Sequence, residues 1–132
     1  MTWQLMSAAE IHQFGIESIL PYLQKEGVSV ENVSVKTGED PQVVGTYHGS
    51  KAFVFVRTAM YPQKGQLTVS EVQRCIAWAQ QHSALALFAS VGLACTNYPD
   101  RSEVKGDEEM QKPIKNAGFA VSYQGLAALG GH

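Results

Sequence analysis

The chain has 132 residues, of which 45% are hydrophobic and 17% charged, and its formal net charge is −2. That length fits one domain with one core, and the composition excludes an intrinsically disordered chain. It also disfavours a nucleic-acid-binding protein, because the ten basic residues are scattered and counterion displacement needs several of them on one surface.

No apolar run approaches the roughly 20 residues that span a bilayer. The longest, Ala84 to Cys95, is broken by Ser90 and Gly92. The opening MTWQLMSAAE passes into an amphipathic pattern without a basic leader region, so no signal peptide is read and a cytoplasmic location is expected. Cys75 and Cys95 lie too far apart for a CxxC pair and are expected to be buried thiols.

In chain order, Ser7-Ala8-Ala9-Glu10 is a capping box. Behind it, Ile11, Phe14, Ile19, Tyr22 and Leu23 recur at helical spacing, which predicts a helix over 8–26 ending at Gly27. Pro21 inside it predicts a kink or a split. Val28 to Lys36 alternates as a strand, with a phase slip near Glu31-Asn32 that predicts a bulge. QVVGTY and KAFVFVRT then flank His48-Gly49-Ser50, the signature of a β-hairpin. Ala52 to Val56 is apolar on both faces, which suits a central strand covered on both sides.

Thr68-Val69-Ser70-Glu71 is a second capping box, opening a helix with Val69, Val72, Cys75, Ile76 and Ala79 on one face and ending at His82-Ser83. Ala84 to Ala94 reads as another central strand. From Thr96 to Asn116 the chain turns polar, predicting a long loop with a helical turn around Glu108 to Lys112. Phe119, Val121 and Tyr123 alternate with small or polar residues as a half-buried edge strand. Such an edge leaves room for a homodimer. Gly125 to His132 carries no strong signal. The expectation is one α/β domain over 1–132: an αβββαβ core, a mixed sheet flanked by helices, and one additional C-terminal strand.

This element order, over about residues 8 to 94, together with the hairpin motif, resembles the PD-(D/E)xK restriction-endonuclease-like superfamily. In catalytic members a Pro-Asp pair opens the second strand and an acidic-x-Lys triplet lies near the end of the third. The two carboxylates hold Mg²⁺ on the scissile phosphate and the Lys positions or activates water. Here Pro41-Gln42-Val43-Val44 matches Pro-Asp-hydrophobic-hydrophobic with Gln42 in place of the Asp. Phe55-Val56-Arg57 matches the triplet, with Phe55 for the acid and Arg57 for the Lys. Phe cannot ligate a hard cation, Gln brings no charge, and Arg is always protonated. The resemblance therefore implies a degenerate member without nuclease chemistry and with no cofactor. A carboxylate from Glu10 or Glu17 on the first helix is conceivable, but a cap and a solvated face explain them more simply.

Asp40, Gln42 and Arg57 are the candidate ligand-binding residues. Arg57 shares a strand face with Phe53 and Phe55, and an Arg there needs an acceptor. Either it pairs with Asp40, Glu39 or another carboxylate, or it clamps an anionic ligand in the former nuclease cleft. The first is preferred, because buried charges are normally paired within the protein. The function read from all this is a non-catalytic interaction or ligand-binding module.

The alternatives are a small enzyme with a site near Cys95 and the 96–116 loop, or a diverged metal-dependent nuclease. Cys95 follows a central strand but has no adjacent His to stabilise a thiolate. His12, His48, His82 and His132 show no metal-ligand spacing, and the acidic run Asp100 to Glu109 reads as a solvated loop.

Overall fold

A computed structural model of the chain describes residues 3–100 and 103–130. Its first helix, α1 (Ala8–Lys25), starts at the expected capping box: the Ser7 hydroxyl accepts from the Glu10 amide and the Glu10 carboxylate accepts from the Ser7 amide. Pro21 does not split it; α1 runs as one helix through that position. Ile16, Ile19 and Leu23 project from one side and are fully buried.

Three antiparallel strands follow, β1 (Val28–Val33), β2 (Val43–Tyr47) and β3 (Ser50–Met60). The register of β1 on β2 slips between Val30 and Asn32, at the expected bulge. The β2–β3 hairpin closes with Tyr47 opposite Ser50, leaving His48 and Gly49 as a two-residue turn, both at positive φ (51° and 82°). That is the backbone conformation favoured in tight hairpins because its twist matches the strands.

Helix α2 (Val69–Gln81) is capped by the Thr68–Glu71 box and carries the chain back to β4 (Leu85–Asn97), which lies parallel to β3. A short helix α3 (Gly106–Met110) stands in the long loop, and β5 (Gly118–Tyr123) pairs antiparallel with β4. The final strand, β6 (Ala127–Ala128), had no sequence signal. It pairs with Leu87 and Phe88 of β4. The sheet order is β1-β2-β3-β4-β5, with β6 beside β4, so β1 is one edge and β5 is the other, the latter as the sequence suggests.

The period-two pattern of β3 separates two cores. Ala52, Val54 and Val56 face α1 and join Ile16, Ile19, Leu23, Leu87, Ala89 and Val91 in one apolar layer. Phe53 and Phe55 face the other way and pack with Cys75 and Ala79 of α2. Each fully buried Val, Leu, Ile or Phe among them is worth about 1.5–3 kcal/mol, so β3, which supplies Val54, Val56, Phe53 and Phe55, is the strand on which both layers depend. Helix α1 sits close on it at Gly15, where an added Cβ would fall 1.9 Å from the Thr58 Oγ1.

Arg57 belongs to the same face as Phe53 and Phe55, but lies beyond the part of β3 that α2 covers with apolar side chains. The architecture thus leaves a polar cleft at that end of the central strand, between the 37–42 segment, α1 and α2. No helix among the described residues is long and apolar enough to cross a membrane.

Candidate functional site

The residues singled out in the sequence converge in this cleft. It has a volume of about 340 Å³ and is lined by His12, Asp40, Gln42, Arg57, Glu71 and Arg74, with Thr37 and Gly38 at its rim. The Arg57 guanidinium is gripped from two sides. Its Nη1 and Nη2 each donate to one oxygen of Asp40 at 3.1 Å, a bidentate pair, and Nη2 also meets Glu71 Oε2 at 3.4 Å. Nη1 reaches the Val56 carbonyl at 3.0 Å and Gln42 Oε1 at 3.3 Å.

Gln42 is the buried polar residue that orders the acidic side. It is 2% exposed. Its Nε2 donates to the Glu39 carbonyl and to Asp40 Oδ1, while its Oε1 accepts from the Val56 amide at 2.7 Å. An amide can do both at once, because it offers donors and an acceptor on one planar group. A carboxylate at the same place would have no proton for Glu39 and Asp40. The Gln is therefore matched to the Arg: its neutral side chain ties β2 to β3 while Asp40 is left to carry the charge.

Electrostatics follows from this geometry. Burial alone would raise the Asp40 carboxyl, but the hydrogen bonds from Arg57 and Gln42 and the Arg57 charge outweigh it and hold it below its ordinary value. Burial works against the Arg57 cation, and Asp40 and then Glu71 more than compensate, so it is held charged. Glu71 is also held low, first by the Thr68 backbone amide and further by Arg57. His12 is pushed the other way: burial lowers it first, and the nearby Arg57 charge adds to that. Its Nε2 is buried and has no hydrogen-bond partner among the described residues.

Asp40, Gln42 and Arg57 are thus brought together, and the acceptor for Arg57 does come from the Gly38–Asp40 segment. Glu39 is not part of the pair; its carboxylate takes the Ser34 hydroxyl instead. Glu10 stays at its cap and pairs with Lys115 at 3.2 Å, and Glu17 accepts from Gln13, so neither reaches the cleft. His12 replaces them as the α1 residue that does, although its spacing in the sequence suits solvent. Glu71 and Arg74 were not legible as site residues. Their one signal is that they lie a single helical turn apart on the α2 surface that begins at Thr68.

The remaining candidates lie elsewhere. His48 is in the hairpin turn against Tyr47, and His82 caps α2 beside Trp78. His132 is outside the described residues. Cys95 is fully buried in β4, its Sγ donates to the Asn97 carbonyl, and burial pushes its thiol up. Cys75 is 2% exposed and is likewise pushed up by burial. The loop after β4 carries the expected helical turn as α3, slightly earlier than predicted, and also a bridge from Asn97 to Glu103 that the sequence does not signal.

The donor set does not fit the Mg²⁺ that the nuclease resemblance would bring. Both Asp40 oxygens are engaged by Arg57, the Gln42 oxygen by the Val56 amide, and Phe55 is a fully buried hydrocarbon. A guanidinium also stands where a dication would have to sit, and like charges at that range repel strongly. Among the described residues, no group of three or more His, Cys, Asp or Glu is placed to hold a metal ion.

Residues 9–129 match the family described as Domain of unknown function (DUF8840). The chain belongs to that family. No curated protein and no solved structure matches it.

Proposed function

We propose that this chain is a non-catalytic, nuclease-like α/β domain that works as a ligand-binding or interaction module. The observation that carries the reading is the Asp40–Arg57–Glu71 network, in which an internal cation neutralises the carboxylates of the cleft. Support for the nuclease-like ancestry comes from the element order α1-β1-β2-β3-α2-β4, with a parallel β3–β4 pair following an antiparallel hairpin. The meeting of Gln42 and Arg57 beside Asp40 adds to it, since Gln42 and Arg57 stand at motif positions of the superfamily. Phosphodiester hydrolysis by that route needs a metal clamp and a mobile proton acceptor. This cleft offers a locked guanidinium instead.

The test is incubation of the purified protein with supercoiled and branched DNA in Mg²⁺ or Mn²⁺. No cleavage is expected, and neither metal should raise the melting temperature. Metal-dependent cleavage that disappears in Asp40→Ala and persists in Arg57→Ala would overturn the reading. The enzyme alternative centred on Cys95 lacks a comparable observation, since its thiol is buried and shifted away from the thiolate.

A further inference from the structure

Next to the polar cleft, and sharing Gly38, Asp40 and Arg74 with it, is a larger pocket of about 580 Å³. That is within the range of about 300–1,000 Å³ typical of small-molecule sites. The buried Phe55 of β3 and Cys75 of α2 lie behind it, and the exposed Arg74 and Trp78 of α2 form its wall. Two of these side chains look unspent. Arg74 forms no ion pair or hydrogen bond among the described residues, and Trp78 is 43% exposed. Asp40, an acid in the same wall, feels the Arg74 charge, but both its oxygens are held by Arg57 and it forms no hydrogen bond or ion pair with Arg74.

We propose that this pocket binds a planar aromatic anion, with the ring on Trp78 and the anionic group on Arg74. The inference rests on the non-catalytic reading above and names the ligand class for it. Arg74 and Trp78 are four residues apart on α2, which brings their Cβ atoms to about 5–6 Å on one helix face. A ligand whose ring and charge are separated by one helical turn spans both. The Trp78 indole is held in place by His82, with ring centroids 4.5 Å apart, and His82 leans in turn on Phe53 at 5.4 Å. An indole ordered before binding loses little freedom when a ring stacks on it. Arg is the cation suited to this task, because its planar fork matches carboxylate and phosphate oxygens.

The charge balance explains why the anionic group is assigned to Arg74 and not to Arg57. Arg57 spends its donors on Asp40, Glu71, Gln42 and the Val56 carbonyl. Arg74 faces the same cavity with its donors unused. Arg57 takes both Asp40 oxygens, so the attraction of Asp40 for Arg74 acts through space only and leaves the Arg74 donors to a ligand.

The experiment uses two anionic probes that share this chemistry from different sources, adenosine 5′-monophosphate and indole-3-propionate, with adenosine as the uncharged control. Calorimetric titration should show one site for at least one anionic probe with Kd below about 1 mM. Arg74→Ala and Trp78→Ala, both on exposed side chains, should each weaken it about tenfold or more, and Arg74→Lys should restore part of the loss. Apo melting temperatures of these variants should match the wild type. Failure of both anionic probes, or binding indifferent to both substitutions, overturns the proposal. Adenosine binding as tightly as its monophosphate overturns the role of Arg74. None of these outcomes touches the cleavage assay with DNA and metal, so the pocket and the non-catalytic reading stand or fall separately.

Discussion

At the residue scale, Arg57 shows how a charge is accommodated beside a buried strand. Its side chain is 21% exposed and that of Asp40 is 25%, so the pair lies between a surface bridge and a sealed one. Exposed pairs contribute about 0–1 kcal/mol, and stripping one partner from a buried pair costs about 3–5 kcal/mol. Arg57→Ala is therefore expected to destabilise by about 1–3 kcal/mol, measured by urea denaturation. Arg57→Lys should recover only part, since an ammonium cannot make the bidentate contact and reach Glu71 together. Wild-type stability in Arg57→Ala would mean that the network is ornamental.

The same network sets a pH dependence. Asp40 is held below its ordinary value in the fold, so the unfolded chain binds the proton more readily. Its contribution is present above the unfolded carboxyl pKa of about 3.9 and is lost as pH falls through the lower folded value. His12 is also depressed, so folding favours its neutral form and stability begins to fall as pH drops below the unfolded value of about 6.5. Urea midpoints from pH 8 to 3 should decline in two stages. Replacing His12 with Gln should flatten the first, and a profile unchanged by that substitution would remove His12 from the account.

At the element scale, most of the fold was legible. Capping boxes at Ser7 and Thr68, the hairpin at His48-Gly49 and the bulge after Val30 each have a local physical cause, and local causes are written in short stretches of sequence. What was not legible depends on partners distant in the chain. Pro21 sits within α1, whose Ile16, Ile19 and Leu23 on either side of it are packed into the core that the sheet supplies. The strand β6 is two alanines long and exists because the edge of β4 is there to receive it. Glu71 hid its second role behind its first: one oxygen serves the Thr68 amide and the other serves Arg57. Only the close approach of α2 to the end of β3 could reveal the second.

Gly15 puts packing and propensity in direct opposition. On propensity alone, Gly→Ala in the middle of a helix should stabilise by about 1 kcal/mol. In α1 the new methyl would meet the Thr58 Oγ1 at 1.9 Å and its Cβ at 2.7 Å, and Thr58 is on β3, which cannot retreat. Overpacking of this kind costs about 1–3 kcal/mol, so Gly15→Ala should be net destabilising. A raised denaturation midpoint in that variant would show that α1 slides on the sheet more freely than its packing implies.

At the scale of the whole molecule, the two cysteines report on two separate places in the fold. Cys75 lies between α2 and the sheet, while Cys95 is buried near the end of β4, next to the long loop. Both thiols are pushed up by burial, which removes the thiolate that reacts, and both are shielded from reagent. If the domain opens only as one cooperative unit, iodoacetamide should label both at the same slow rate at pH 8, and mild denaturant should accelerate both alike. Earlier labelling of Cys75 would place a local opening at α2, beside the proposed ligand pocket, and an aromatic anion bound there should slow it. Rapid labelling of Cys95 below pH 8 would point to an activated thiol and revive an enzymatic site at the end of β4. The buried position of Cys95 and its contact with the Asn97 carbonyl argue for the slow result.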